Sequence, residues 1–354
     1  MKKIFRICKK LLKLDYFLLI KIFKIIIKKD YSKYPPYVKE FESKISEIFN
    51  IKYVLTFSSG SAAFYASLLA LNLRKKSKVL ISCMTFPSII NLLKKFEFEI
   101  YYFELDQKFN PINDANINSE FDLLIITHPF GLYVDSNNLQ NLLKTECKKI
   151  YDCSNSHGLQ SINKDSDHVI EADISFFSIQ GNKSISGGEG GVVLTNNKIF
   201  YETMINNHHP GHILNNNKNI AGAINDLKLR MHPIAACIGF EDLKKFKLNN
   251  SELKNKAIKI YEFLDHNNIS HPYNTKFDIS GFHYGLPFFY KEKISDEIVK
   301  EYNWYSNLKD ENIRPISNLN KLSIINEIYF LDLSFIKNND LKTILIKLKK
   351  TFKC

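Results

Sequence analysis

The sequence predicts an α/β protein: a mostly parallel, doubly wound sheet, followed by a smaller C-terminal α+β domain. Three observations predict it. From Tyr53 to Thr195, short apolar runs alternate with helix-length segments, the rhythm of βαβ units covered on both faces. Several loops at the carboxyl ends of those runs carry polar or glycine-rich stretches, and in such sheets ligands sit at that edge. Beyond His266 strands and helices mix without the regular alternation.

Residues 1–36 form a basic, apolar N-terminal extension. From Asp15 on, Lys21, Lys24 and Lys28 share one face while Phe17, Leu18, Leu19, Ile22, Phe23, Ile25 and Ile26 fill the rest. The lysines interrupt the run of about 20 apolar residues that a spanning helix needs. Two readings stay open: a helix on an anionic membrane surface, or one packed on its own domain or a partner subunit. Tyr31 to Tyr37, with Pro35-Pro36, reads as a linker.

The large domain, residues 37–247, opens with a helix over Val38–Phe49, whose apolar residues recur at helical spacing. Strands are expected at Tyr53–Thr56, Lys78–Ser82, Glu99–Leu105, Phe121–Thr127, Lys149–Asp152, Ile174–Ile179 and Gly191–Thr195. Helices are expected at Ala62–Leu73, Phe86–Phe96, Ser136–Thr145, Ile199–Asn206 and Lys228–Phe246. A boundary between Phe246 and Ser251 leaves 248–354 as the small domain. It carries helices at Ser251–Leu264, Ser295–Tyr302 and Asp340–Lys350 and strands at Gly281–Tyr290 and Ile328–Leu333.

Composition excludes some functions. The chain has 354 residues and a net charge of +12, but the first 30 residues carry +8 of it, so no broad basic face for nucleic acid is expected. The six cysteines are scattered and none forms a CxxC pair, which argues against zinc. With no obvious cleavable signal, this usage suits a reducing cytoplasm. Cys153 reads as a buried, inert thiol. His208, His209 and His212 share a loop without a carboxylate at ligand spacing, and no metal is expected.

The stretch around Lys183 carries the most chemistry. Strand Ile174–Ile179 is followed by a polar loop holding Lys183 and by the glycine-rich Gly187-Gly188-Glu189-Gly190-Gly191. A lysine held there is either a phosphate-binding charge or a reactive amine for Schiff-base formation. Ser58 to Ala62 reads either as an anion cradle at a helix N-terminus or as a plain N-cap. Asp152 ends a strand, as a carboxylate facing the ligand crevice or as a helix cap. Phe86 offers a flat face to a ligand or packs into the core.

The chain resembles the DegT/DnrJ/EryC1/StrS sugar aminotransferases of the fold-type-I pyridoxal-phosphate (PLP) superfamily, from about Tyr37 to Phe246. The likeness rests on five segments in order: VKEFESKISEIFNIKYVLTFSSGSAAFYASLLAL, KVLISCMTFPSIINLLKKFEFEIYYFELD, ITHPFGLYVD, YDCSNSHG and FSIQGNKSISGGEGG. The resemblance implies that Lys183 holds PLP covalently and shuttles a proton, and that Asp152 pairs with the pyridinium nitrogen. It implies phosphate binding by Gly60, Ser61 and Ser178, and ring stacking by Phe86. Asn155 stands where the family has Gln and would reach the ring hydroxyl from one methylene shorter. Lys228 stands where the family's Asn reaches the phosphate of the neighbouring subunit, which implies a homodimer with shared sites.

With Lys183 present, rather than the His of the family's dehydrating branch, the implied reaction is transamination. Glutamate or glutamine would be the donor and a keto-sugar, nucleotide-linked as a rule, the acceptor, for surface polysaccharide or glycan synthesis. Two alternatives are an aminotransferase on a non-sugar ketone such as a cyclitol, and a non-catalytic regulatory or assembly protein on the same fold. The intact Asp152/Lys183 pair argues against the second. Substrate contacts are expected from the loop Asn206 to Asn219.

Overall fold

The structure is a computed structural model of the chain and describes residues 16–28, 36–113, 120–157, 171–181, 183–208, 227–273, 285–290, 298–301, 313–316, 328–332, 336 and 338–352. Helix α1 (Tyr16–Lys28) and helix α2 (Pro36–Phe49) precede the sheet. Pro36 sits at the start of α2, where its fixed φ and missing N–H are tolerated. The linker expected at Tyr31–Tyr37 therefore yields Pro36 and Tyr37 to the helix, and 31–35 lie outside the described residues. Val38, Phe41, Ile45 and Phe49 form the buried stripe of α2.

The large sheet is built from β1 (Tyr53–Phe57), β2 (Lys78–Ser82), β3 (Glu99–Phe103), β4 (Phe121–Thr127), β5 (Leu143–Asp152), β6 (Ile174–Ser178), β7 (Gly191–Thr195) and β10 (Ile313–Pro315). Their spatial order is β1-β7-β6-β5-β4-β2-β3-β10. β7 runs antiparallel to both β1 and β6, and every other pairing in the sheet is parallel. The carboxyl ends of β1, β2, β4, β5 and β6 thus share one edge, and β2 and β4 adjoin where the strand order reverses. β1, β2, β3, β4, β6 and β7 are almost wholly buried, as is the carboxyl end of β5, because helices α3 (Gly60–Leu71), α4 (Pro87–Lys95) and α5 (Lys198–His208) cover a sheet apolar on both faces. Each fully buried Phe or Leu in this core contributes about 1.5–3 kcal/mol.

Two expected helices are different elements. Ser136–Thr145 is a 3-10 turn at Asn137–Leu142 running into β5. The Asp135 carboxylate accepts from Asn137 N and turns the chain locally, and Leu143 already pairs with Phe121. Within Ser295–Tyr302, Val299–Glu301 is strand β9, paired with β11 (Ile328–Asp332) in a three-stranded sheet with β8 (Gly285–Phe289). Non-local pairing overrides local pattern there. Residues 281–284 and 295–297 of the expected elements lie outside the described ones.

The helices expected at Lys228–Phe246 and Ser251–Leu264 are one, α6 (Pro233–His266), 34 residues long. Pro233 fixes its start, and the His232 ring accepts from Ile234 N. Residues 227–232 before it are non-helical. The helix crosses the 247/248 boundary without a break. β10, from the C-terminal part of the chain, pairs in parallel with β3 and so extends the large sheet. Helix α7 (Leu341–Phe352) buries Ile344, Leu348 and Phe352.

Helix α1 packs on α6. Ile25 is buried, and Lys21 reaches Glu241 at 3.3 Å. The Lys21 and Lys244 ammonium groups lie over the Phe240 ring at 4.8 and 4.6 Å. Leu19, Phe23, Ile26 and Ile27 of α1 are exposed. Among the described residues no helix is long and apolar enough to cross a membrane.

Candidate active site

A cavity of about 250 Å³ opens at the carboxyl edge of the sheet, lined from five strand ends. Lys183, Asp152, Asn155, Gly60, Ser61, Ser178 and Phe86 all line it. Gly60 and Lys183, 123 positions apart in sequence (183 − 60), meet there because their strands end side by side.

The turn after β5 supplies three groups. Asp152, the last residue of β5, is buried, and the Ser154 backbone N–H donates to its Oδ1 at 3.0 Å. Asp152 is therefore not a helix cap; it anchors the tight turn that follows it. Burial pushes its carboxyl up, against the opposing pull of hydrogen bonds from Ser154 and of the Lys183 charge. Lys183 shows the mirror effect. Burial pushes its amine down to about 8, while Asp152 pulls it up. Its Nζ donates to Asn155 Oδ1 at 2.8 Å. Asn155 thus holds the amine.

The loop from β1 into α3 forms the other end of the cavity. Ser59 caps α3, its Oγ accepting from Ala62 N at 3.1 Å. The loop is thus an N-cap, and its Ser59, Gly60 and Ser61 also line the cavity. Ser61 Oγ donates to Ser88 Oγ at 2.9 Å, joining α3 to the first turn of α4. With Ser178 opposite, these hydroxyls and the positive end of the α3 dipole make a neutral, donor-rich cradle for an anion.

Glycine is required here by close approach. A Cβ at Gly60 would lie 2.9 Å from Ser178 Cβ, and one at Gly191 would lie 2.2 Å from Ser59 O. At Gly191 the missing side chain lets β7 pack against the Ser59–Gly60 backbone.

Phe86 sits at the mouth, 46% exposed, so it is not a core residue. Gln180 and Glu189 form the opposite rim, with Gln180 Nε2 donating to Glu189 Oε1 at 3.2 Å. Lys228 is exposed and does not line the cavity of its own chain. Its neighbour Leu229 accepts from Ser58 N at 2.7 Å, which places Lys228 just outside the cradle loop. Cys153 is buried beside Asp152 and does not line the cavity. Residues 209–219 of the loop expected to touch substrate, with His209 and His212, lie outside the described residues. Among the described residues no group of three His, Cys, Asp or Glu side chains could hold a metal.

Sequence reasoning missed Ser88, Ser154, Gln180 and Glu189. Ser88 directly follows Phe86-Pro87, and Ser154 sits between Asp152 and Asn155, so position beside a strand end was the available signal for both.

A profile of the DegT/DnrJ/EryC1/StrS aminotransferase family matches residues 20–300. The GDP-perosamine synthase of Escherichia coli O157:H7 is 27% identical over 215 residues, covering 59% of this chain and 58% of that protein. The chain therefore spans somewhat over half the length of the curated relatives it matches. Among solved structures, the aminotransferase from Psychrobacter cryohalolentis superposes with a TM-score of 0.79 at 16% identity, over 96% of this chain and 98% of that one. The E. coli GDP-4-keto-6-deoxy-D-mannose-3-dehydratase with bound hydrated PLP gives 0.75 at 15% identity, over 96% and 97%. Both share the fold: the expected α/β architecture is that of the fold-type-I transferases.

Proposed function

The chain belongs to the DegT/DnrJ/EryC1/StrS aminotransferase family, and from that premise we propose that it is a PLP-dependent aminotransferase. It moves an amino group from glutamate or glutamine to a nucleotide-linked keto-sugar used in surface polysaccharide or glycan synthesis. The observation that carries this reading is the meeting of the Lys183 amine and the buried Asp152 carboxylate in one cavity, with a hydroxyl-rich cradle at its other end. A nucleotide-linked acceptor is supported by the relatives named GDP-perosamine synthase.

The residues present fit the cofactor. The α3 N-terminus with Gly60, Ser61 and Ser178 suits its phosphate, and Phe86 at the mouth suits a flat ring. PLP, when bound, supplies an electron sink that lets an amino group and a carbon-bound proton be exchanged. The protein supplies the rest. Asp152 holds a proton on the ring nitrogen. Lys183, its amine pushed down to about 8, can both take up and give back a proton near neutral pH. Asn155 Oδ1 directs that amine while it is free. The apolar walls of Met84, Ile89 and Phe176 limit water.

The same reading includes a cytoplasmic homodimer in which Lys228 serves the partner's cradle as a point charge. Its exposure beside the cradle loop supports that role. It also includes contact of residues 1–30 with the inner membrane face. That contact is supported by the exposed Leu19, Phe23, Ile26 and Ile27 on α1 and by the net charge of +8 in this stretch. Flotation with anionic liposomes is expected for the wild type and lost in Phe23→Glu/Ile27→Glu; equal flotation of both would remove the membrane contact.

Purified protein incubated with PLP is expected to show a visible absorption band. With glutamate and a GDP-linked 4-keto-sugar it is expected to release 2-oxoglutarate. A protein that stays colourless with added PLP would overturn the proposal.

A further inference from the structure

The glycine-rich stretch after Lys183 aims a side chain. Glu189 stands between Gly188 and Gly190, whose φ values of +84° and +153° lie in the region that favours glycine. A Cβ at Gly190 would also lie 2.7 Å from Met231 Cε and 2.9 Å from Ile179 Cγ1. Backbone hydrogen bonds fix the stretch to the end of β6 on both sides of Gln180. Ile179 N donates to Gly190 O at 3.0 Å, and Gly181 N donates to Gly188 O at 2.9 Å. Ile179 is buried between them, while Gln180 and Glu189 are exposed and line the mouth of the cavity. Gln180 Nε2 donates to Glu189 Oε1 at 3.2 Å. Among the described residues Glu189 forms no ion pair, and its second carboxylate oxygen accepts no hydrogen bond. The carboxylate is held in place by backbone and by an amide, with an acceptor left over and its charge unmatched.

The two ends of the cavity therefore differ in kind. The cradle of Ser59, Gly60, Ser61 and Ser178 offers hydroxyls and the N-terminus of α3, which suit an anion. The rim offers acceptors. A carboxylate accepts and does not donate, and the Gln180 carbonyl, its amide N–H turned to Glu189, is a second acceptor. Such a pair fits groups that donate, and an O–H···O⁻ bond is among the stronger hydrogen bonds. It is ill matched to a dicarboxylate such as glutamate, whose charges it repels. We propose that Glu189, held by Gln180, is a specificity-determining residue: it accepts hydrogen bonds from the sugar hydroxyls of the acceptor and opposes the anionic donor at the same rim. The inference deepens the aminotransferase reading above and rests on it, because it names what one rim residue reads on the acceptor.

Calorimetric titration of the PLP-loaded protein with GDP-mannose, a hexose without the reacting ketone, and with GDP alone tests this. The wild type is expected to bind GDP-mannose more tightly than GDP. Glu189→Gln keeps the shape and loses the charge. It is expected to weaken GDP-mannose about tenfold, the size of a lost hydrogen bond to a charge, and to leave GDP within about twofold. Gln180→Ala keeps the charge but frees the carboxylate, and is expected to weaken GDP-mannose about threefold. Glutamate should respond with the opposite sign: the concentration that half-bleaches the visible band is expected to fall about twofold in Glu189→Gln, because a like charge screened by water has gone. Equal GDP-mannose affinity in wild type and Glu189→Gln overturns the proposal. So does a parallel weakening of GDP-mannose, GDP and glutamate, which would mark a structural role alone. Should Glu189→Gln fail to fold, Glu189→Ala takes its place with the same criteria. A wild type that gains no visible band with PLP sinks the aminotransferase reading and this inference with it. A wild-type band with GDP-mannose affinity unmoved by Glu189→Gln sinks this inference only.

Discussion

Two buried carboxylates, Glu42 and Asp152, differ in what surrounds them. Glu42, on α2, is buried behind β1 and accepts from both Thr56 N and Thr56 Oγ1 at 2.8 Å. Burial pushes it up to about 8, and no cation is among the causes that offset the shift. Asp152 is buried and pushed up in the same way, yet the Lys183 charge pulls against the shift, and it lines an open cavity where Glu42 does not. Burial penalises the charged form in both places. What differs is the opposing cation and the room for a ligand to share the charge. A raised carboxylate alone therefore marks nothing. A raised carboxylate paired with a depressed amine, at the mouths of parallel strands, marks chemistry.

The sharpest way to break this contrast is to remove the amine. Lys183→Ala is expected to abolish the visible PLP band and to lower turnover by at least about 10³-fold, since on the proposed reading it deletes both the attachment point and the proton carrier. Turnover retained within tenfold would show that the pair is structural, as Glu42 is. Asp152→Asn keeps the shape and loses the charge. It is expected to lower kcat by roughly 10²–10³-fold, with little change in the urea midpoint of the apoprotein. Glu42→Gln should do the reverse. Because its folded pKa lies above the ordinary value of 4.5, the stabilisation it provides is complete below pH 4.5 and is lost as pH rises toward about 8. The Gln variant lacks that slope. At pH 9 it is expected to be more stable than wild type by roughly 3–5 kcal/mol, with the gap closing toward pH 5 and turnover unchanged. Urea unfolding at the two pH values reads this directly, and a pH-independent gap would remove Glu42 as a titrating core residue.

Much of this architecture was legible because its signals are local. Phe121–Thr127, Lys78–Ser82 and Gly191–Thr195 are strands whose ends follow from short apolar runs between polar punctuation. Lys183, Asp152, Ser61 and Phe86 could be placed together because each follows or ends a strand of one parallel sheet, so topology alone puts them at a common edge. Other features have no local signature. Asn249-Asn250-Ser251 reads as a break, but each such residue weakens a helix by less than about 0.7 kcal/mol. The packing of Ala236, Leu243 and Phe246 before it and Ile260 and Leu264 after it holds α6 together. β9 is a strand only because β11 pairs with it. Ser88, Ser154 and Gln180 are neutral side chains whose roles depend on partners that sequence does not place. Lys183 and Asn155 were each read as facing a ligand, and their hydrogen bond to one another needed coordinates.

That hydrogen bond and the depressed Lys183 amine give the finest test of the comparison. Only the neutral amine attacks a carbonyl. An exposed lysine, near 10.4, would be almost wholly protonated across the neutral range. Lys183, at about 8, passes from mostly charged to half neutral between pH 7 and pH 8. The rate at which the cofactor-free protein gains its visible band on mixing with PLP is therefore expected to rise roughly fivefold over that interval and to level off above pH 9. Asp152→Asn removes the charge that holds the amine up, so the same curve should shift to lower pH and flatten across the neutral range. A wild-type rate still climbing at pH 10 would mean that Lys183 behaves as a solvated lysine. The cavity would then lack the paired shift that distinguishes it from the core around Glu42.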